Sequence, residues 1–333
     1  MIYKSGCSDG ILGILPSWTP RRCGVLLLNL ALIISLYINS DNIRNSLLAN
    51  IKTLQESGKD SFPFQHHGVQ KKRLPQAIIF GAKKCGTKAL LRMINLHPHV
   101  VACKNEGHFF ENDRKTGMNL NYVHGLEWYQ EKMPLTYEDQ ITIDKTPSYF
   151  VSADSPKRIH DMNSSIKLIL IVRDPTTRVI GDYAHVVSRN EVQLPEFEQE
   201  VIKPNGEVNK GSFIVIPSLY AEHMSRWLPW FKRDQILVVD GEKLISDPLT
   251  QITKVEKFLN IKPYIKEDNF YWNSTKGFYC MRSEVTEFCL VPTKGRPHPE
   301  VKPEIIYKLR KFFAPLNDQF YEMVGHNFSW PSS

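Results

Sequence analysis

The sequence predicts an α/β fold: a parallel β-sheet with helices on both faces, built around a P-loop-like turn and preceded by one N-terminal transmembrane helix. Three observations carry this. Apolar runs of strand length alternate with helix-length amphipathic patterns, as in sheets buried on both faces. The first such run, Ala77-Ile78-Ile79-Phe80, leads into a Gly/Lys/Thr loop and then a helix. A longer apolar run near the N-terminus is flanked by arginines.

That N-terminal run covers residues 23–39, with only Asn29, Ser35 and Asn39 interrupting it. Arg21 and Arg22 precede it and Asp41 follows, which places the N-terminus in the cytosol and the rest outside it. The run is short for a plasma-membrane span and suits a thinner secretory-pathway bilayer. A cleaved signal peptide with a long n-region is the rival reading, although no small-x-small cleavage site follows. The expected organisation is a cytoplasmic tail (1–22), a signal-anchor (23–39), a polar basic stem (40–73) and a lumenal domain (74–333). Sequons at Asn163, Asn273 and Asn327 agree with a lumenal domain. Cys7 and Cys23 fall on the cytosolic side or in the membrane, and Cys85 and Cys103 are expected to be lumenal free thiols.

Within 74–333, strands are expected at 77–80, 141–143, 166–172 and 236–239. The apolar Val100-Val101-Ala102 adds another strand end. Helices are expected at 89–94, 175–189, 217–231, 247–259 and 302–313. In such sheets, ligands gather at the carboxyl ends of the strands. Lys84, Asp144, Lys145, Arg173 and Asp240 stand at those ends. Lys83, Lys84, Cys85, Gly86 and Thr87 would form an anion cradle, because loop N–H groups and the helix dipole converge there. Gly81 and Gly86 have the spacing of a nucleotide-triphosphate loop, but Thr87-Lys88 reverses the Lys-Ser/Thr order that holds magnesium. That order argues against an ATP-dependent kinase. The chain is long enough, at 333 residues and 42% hydrophobic, for a substantial core. Its net charge of +7 admits an acidic partner: nucleic acid, a membrane surface or an anionic polysaccharide.

The stretch Lys104-Asn105-Glu106-Gly107-His108-Phe109-Phe110-Glu111 carries carboxylates and a histidine beside the loop, a composition suited to acid/base work. A solvated charged turn is the plain alternative.

In chain order follow Leu74-Pro75-Gln76-Ala77-Ile78-Ile79, Lys84-x-Gly86-Thr87, Asn105-Glu106-x-His108-Phe109-Phe110, Gly125-Leu126-x-Trp128-Tyr129, Lys145-Thr146-Pro147-x-Tyr149-Phe150, Arg173-Asp174-Pro175, Lys276-Gly277-Phe278-Tyr279-Cys280 and Lys294-Gly295-Arg296. This ordered set, over residues 74–330, resembles the heparan sulfate glucosamine 3-O-sulfotransferases. The resemblance implies 3′-phosphoadenosine 5′-phosphosulfate as sulfuryl donor, heparan sulfate rather than nucleic acid as the anionic partner, and a Golgi membrane location. It places the 5′-phosphosulfate on Lys83–Thr87, with Lys84 neutralising the leaving oxygen. Arg173 would hold the 3′-phosphate, with position 181 and Tyr279 beside the donor and Lys294, Gly295 and Arg296 closing over it. Glu106 would be the general base, oriented by His108 and Glu111. Lys145 would bind acceptor sulfate or carboxylate groups or act at the transition state. The resemblance and the oxidising compartment also imply a Cys280–Cys289 disulfide. The scheme needs no metal, and the sequence has no convincing metal-ligand spacing; His66-His67 reads as part of the stem.

The sequence departs from the family pattern in places. Cys85 replaces a glycine in the loop, and Gly181 replaces a serine whose hydroxyl helps hold the 3′-phosphate. Weakened donor binding is the expected result. Lys104 and Val291, near the expected acceptor mouth, also differ and bear on the preferred sulfation pattern. A glycan-binding protein without catalysis, or a sulfotransferase for another glycan position, are the alternatives.

Overall fold

The structure is a computed structural model that describes residues 66, 68–112, 117–119, 121–189, 193–290 and 298–333. The expected tail and signal-anchor, and the segment Val291 to Arg296, lie outside the described residues. Among the described residues, no helix is long and apolar enough to cross a membrane. His66–Ser333 forms one compact unit.

The unit begins with β1 (Lys71–Lys72), β2 (Ala77–Gly81), α1 (Thr87–Ile94) and β3 (Val100–Ala102). Then come α2 (Gly125–Glu131), β4 (Leu135–Thr136), β5 (Ile141–Lys145) and α3 (Ser155–Met162). β6 (Lys167–Val172), α4 (Pro175–Arg189), α5 (Phe197–Val201) and α6 (Tyr220–Trp227) follow. The last group is β7 (Ile236–Asp240), α7 (Gly241–Ser246), α8 (Pro248–Leu259), β8 (Phe270–Asn273), β9 (Phe278–Arg282), β10 (Glu287–Phe288) and α9 (Pro303–Val324).

The main sheet has five parallel strands in the order β3-β5-β2-β6-β7. Every residue of β2 is buried, as its unbroken apolar run requires of a central parallel strand. The chain moves from β2 outward to β3, returns through β5 and then crosses to β6. The loop after β2 therefore sits at the switch point of the topology, where such sheets bind ligands.

The helices start where the sequence provides caps. Asp174 accepts from the backbone N–H of Thr176 (3.2 Å) and Thr177 (3.1 Å), and Pro175 opens α4. Asp240 accepts from Glu242 and Lys243 at the start of α7. Asp247 does the same for Thr250 in α8. The Arg-Asp-Pro sequence thus ends a strand and begins a helix, leaving Arg173 at the rim.

α9 runs well past the expected 302–313 and contains Pro315. Its stripe Ile305, Leu309, Phe313 packs with Val179 and Ile180 of α4 in a second, smaller core. α6 is shorter than the expected 217–231, because a 3₁₀ turn at Ile216–Ser218 precedes it and the chain turns away after Trp227. β10, β9 and β8 form a separate antiparallel sheet, pinned by the Cys280–Cys289 disulfide. Cys85 and Cys103 are buried free thiols.

Part of the segment read as stem belongs to the compact unit. Lys71 and Lys72 pair with Thr136 and Leu135. His66 stacks on Tyr137 (5.2 Å between ring centroids) and its Nδ1 lies 2.8 Å from Asp139 Oδ2. Among the described residues, His66, His99 and Asp139 are also the one set of three or more histidine, cysteine or acidic residues that each offer a ligand atom with all these atoms within 4.8 Å of one another. The group lies at the amino end of β3, the sheet edge opposite the strand-end charges. Its hydrogen bonds account for it: His99 Nδ1 lies 2.8 Å from the Asp139 carbonyl oxygen, and Gln140 Nε2 lies 3.2 Å from His66 Nε2.

Candidate active site

The loop after β2 is fixed from below. Ala82 N–H donates to the Ile171 carbonyl (2.8 Å) and Cys85 N–H to the Ala82 carbonyl (3.1 Å). Lys84 has φ 74° and Gly86 φ 105°, a left-handed bend that turns the chain into α1. No side chain caps α1, so the N–H groups of its first turn stay directed into the bend, as in anion sites at helix N-termini. Gly241 closes the other side. A Cβ there would lie 2.6 Å from Arg173 Cγ and 2.7 Å from the Cys85 carbonyl oxygen. Only glycine lets α7 approach the loop.

The loop lysines divide their work. Lys83 Nζ lies 3.2 Å from Oδ1 of Asp182, a fully buried carboxylate on α4. Arg178, also fully buried, reaches the other Asp182 oxygen at 2.9 Å and donates to the Lys83 carbonyl at 3.3 Å, to Ser218 Oγ and to the Ile214 carbonyl. Burial would raise the Asp182 carboxyl; Arg178 and Lys83 outweigh it and hold the group low. Lys83 therefore ties the loop to α4, while Lys84 belongs to the left-handed bend. The Cys85 side chain is buried, 3.4 Å from Tyr220 Oη, and burial pushes its thiol up to about 11. It is a packing residue, not a nucleophile. Tyr220 in turn donates to the Arg173 carbonyl at 3.0 Å, coupling the loop to the rim of β6.

At the carboxyl ends of β3 and β5, Glu106 is held between two cations. Lys145 Nζ pairs with Oε1, and His108 Nε2 lies 3.3 Å from Oε2. His108 Nδ1 lies 2.6 Å from Glu111 Oε1, which also accepts from Ser148 Oγ at 2.6 Å. Burial would raise Glu106, but His108 and Lys145 outweigh it and bring the carboxyl down to about 2. The hydrogen bonds to Glu106 and Glu111 push His108 up to about 10, against its partial burial. At neutral pH Glu106 is thus a carboxylate beside a protonated His108.

A buried floor supports this row. Asp144 is fully buried and accepts from Tyr129 Oη at 2.8 Å and Thr146 Oγ1 at 3.2 Å. Thr146 Oγ1 also accepts from Gly107 N–H at 2.9 Å, and Tyr149 Oη accepts from Phe109 N–H at 3.1 Å. A Cβ on Gly107 would stand 2.9 Å from Tyr129 and 3.0 Å from Asp144. The loop lies flat on this floor because residue 107 is glycine, and that fixes where Glu106 and His108 emerge.

The far end of the site is Arg173. Its Nε lies 3.1 Å from Glu242 Oε1, beside a cavity of 310 Å³ lined by Arg173, Thr177, Asp240, Glu242, Arg310 and Trp330. Gly181, one turn beyond Thr177, faces His298, whose Nε2 would lie 3.5 Å from a Cβ at that position. Burial and the charges of Arg173 and Lys84 hold the His298 imidazole below its ordinary pKa. The site is therefore a strip running from Arg173 and His298, across the uncapped helix, to Glu106 and Lys145.

A sulfotransferase-domain family model matches residues 74–323. The chain is 50% identical over 264 residues to human heparan sulfate glucosamine 3-O-sulfotransferase 5, covering 78% of this chain and 75% of that protein. It is 42% identical over 267 residues to human heparan sulfate glucosamine 3-O-sulfotransferase 6, covering 79% and 75%. The chain belongs to the heparan sulfate glucosamine 3-O-sulfotransferase family. The fold is also that of a solved sulfotransferase from Alicyclobacillus acidocaldarius, with a TM-score of 0.59, 20% identity and coverage of 77% of this chain and 98% of that one.

For this family member, the structure groups most residues singled out from sequence. Glu106, His108, Glu111 and Lys145 form one hydrogen-bonded row. Lys104 is exposed on the same loop, and Tyr279 is half-buried on β9 against Trp272. Lys294, Gly295 and Arg296 lie outside the described residues. Asn163 follows α3, Asn273 ends β8 and Asn327 lies in the C-terminal tail. Sequence reading missed Arg178, Asp182, Glu242, Ser148 and His298. Arg178 and Asp182 carried one usable signal, opposite charges four apart on a helix otherwise facing the core. The others act through distant contacts that no local spacing announces.

Proposed function

We propose that the chain transfers a sulfuryl group from 3′-phosphoadenosine 5′-phosphosulfate to the 3-hydroxyl of glucosamine in heparan sulfate. We place it in the Golgi membrane as a single-pass type II protein with a lumenal catalytic domain. The observation that carries the reading is Glu106, fixed between Lys145 and His108 at the strand ends that also present the uncapped α1 terminus.

The donor fits the site's chemistry. Its phosphosulfate is an anion for the α1 N-terminus and Lys84, and its 3′-phosphate suits the guanidinium of Arg173, with His298 at the place of the missing residue-181 hydroxyl. The acceptor hydroxyl attacks sulfur in line. A new O–S bond forms, the S–O bond to phosphate breaks with its electron pair, and the hydroxyl proton passes to Glu106. With its carboxyl near 2, Glu106 cannot ionise a sugar hydroxyl beforehand. It accepts the proton only as sulfur bonding acidifies that hydroxyl. His108, anchored by Glu111, holds the carboxylate in place; Lys145 lies where an acceptor sulfate or carboxylate would share its charge. Negative charge accumulating on the leaving phosphate is met by Lys84 and the helix terminus.

The test uses the full-length chain in detergent with labelled donor and heparan sulfate, locating the label by disaccharide analysis. Label on the glucosamine 3-oxygen is expected, and Glu106→Gln should cut kcat by about 10²–10⁴-fold with thermal stability retained. Label at another position, or an undiminished rate in the variant, overturns the assignment.

A further inference from the structure

A second positively charged surface lies away from the strip just described. The hairpin after α5 turns at Gly206, where Lys203 N–H donates to Glu207 O at 2.8 Å and Ile202 bridges Val208. Against it runs α9, presenting Lys308 and Lys311 one turn apart on its exposed side. Hairpin and helix enclose a groove of 540 Å³, lined by Lys203, Lys210, Lys308 and Lys311, with Val208 and Phe312 at its base. The ammonium of Lys308 would come within 4.0 Å of a Cβ on Gly206, so it reaches across the groove.

The charge balance is lopsided. Lys210 pairs with Glu222 at 2.5 Å. Glu207 is the groove's acidic residue, and its carboxylate accepts from the Asn205 amide at 2.9 Å within the turn. Among the described residues, the side-chain ammonium groups of Lys203, Lys308 and Lys311 make no ion pair or hydrogen bond. Like charges at i,i+3 repel and cost the helix stability. Clustering them with a third lysine across a groove makes sense if an extended anion lies there. None of these residues belongs to the Glu106–Lys145 row, the loop after β2 or the Arg173 end.

We propose that this lysine groove is a secondary binding site for the sulfated polysaccharide, engaging the acceptor chain at a point remote from the sugar being modified. The proposal rests on the reading of heparan sulfate as acceptor. A long chain held in the groove presents further glucosamines to the site as an intramolecular event, which raises apparent affinity without new contacts at the reacting centre. A short oligosaccharide that fills only the reacting centre lacks this second contact. The advantage is electrostatic at exposed side chains, so salt erodes it.

The experiment compares the wild-type full-length chain with Lys203→Ala/Lys308→Ala/Lys311→Ala on long heparan sulfate and on a short oligosaccharide acceptor. The variant should raise KM for the long chain by about three- to tenfold and leave kinetics on the short acceptor unchanged. It should also elute from immobilised heparan sulfate at lower salt, a readout that holds if the sulfation assignment itself fails. Equal changes on both acceptors, or unchanged KM and elution salt, overturn the groove's role. Loss of binding to anionic phospholipid vesicles with glycan binding intact overturns it in favour of a membrane-facing surface.

Discussion

The two ends of the strip are built by opposite strategies. Around the loop after β2, position is set by groups with no access to water: Arg178 and Asp182 are both fully buried, and Lys83 is drawn to them. Around Glu106, position is set by a row that reaches the surface at Glu106 and His108, with side chains 36% and 53% exposed, while Lys145 and Glu111 are 10% and 12% exposed. The first end is part of the core and inherits its rigidity. The second rests on the core through Asp144, Thr146 and Tyr149, and its own members balance one another. An anion cradle must keep its backbone N–H groups converged, and buried charge does that. A proton acceptor has to change partners during turnover, and an exposed row permits it. Damage should therefore appear as lost folding at the first end and as changed titration or rate at the second.

The sharpest way to break this comparison is Asp182→Asn. The substitution leaves Arg178 buried without its counter-charge and releases Lys83. Removing one partner of a buried pair costs roughly 3–5 kcal/mol, so denaturant unfolding should show a loss of that order. Donor binding should weaken with it, because the loop loses its tie to α4. A variant as stable as wild type would mean that the network is not what holds the loop.

Gly181→Ser acts at the donor end without disturbing that network. A Cβ at residue 181 meets only His298, at an ordinary 3.5 Å, so the side chain fits. A hydroxyl that reaches the donor's 3′-phosphate adds a hydrogen bond to a charged group, about 1.5–3 kcal/mol. The donor KM should then fall by roughly tenfold or more. Replacing a helix-interior glycine should also raise stability by a few tenths of a kcal/mol, about the difference in helix propensity. Unchanged donor KM with raised stability would assign the anion-holding role to His298 alone.

What could be read from sequence follows the same division. The strands were legible because a buried parallel strand is one apolar run: β2, β5 and β7 cover the expected residues with one or two added at the carboxyl end, and β6 begins one residue later than expected. Asp144, Arg173 and Asp240 were legible because each follows such a run directly. Glu106, His108 and Glu111 are neighbours in sequence and stayed neighbours in space. The partners that fix them were not legible. Ser148 reaches Glu111 across 37 positions and Glu242 reaches Arg173 across 69, separations that only tertiary packing closes. Likewise, α9 runs past its expected end at 313, and its further turns bury Asn317, Phe320 and Val324.

The smallest expected effect tests the exposed row by titration. His108 has its folded pKa raised to about 10, from an ordinary 6.5, by Glu106 and Glu111. A raised pKa stabilises the fold fully below 6.5, and the contribution fades as pH rises toward 10. Glu106, lowered from 4.5 to about 2, behaves oppositely: its contribution is complete above 4.5 and is lost as pH falls toward 2. Because His108 is more than half exposed, solvent screening keeps its share small, and the readout should be the proton itself rather than ΔG. Proton NMR of the His108 ring should show the imidazolium persisting well above the ordinary histidine range. Glu111→Gln removes one of the two charges and should bring the midpoint down, while reducing the alkaline loss of thermal stability between 6.5 and 10. A wild-type midpoint near 6.5 would show that the row does not hold together in solution. Glu106 would then be positioned by Lys145 alone, and the exposed end of the site would be looser than its hydrogen bonds suggest.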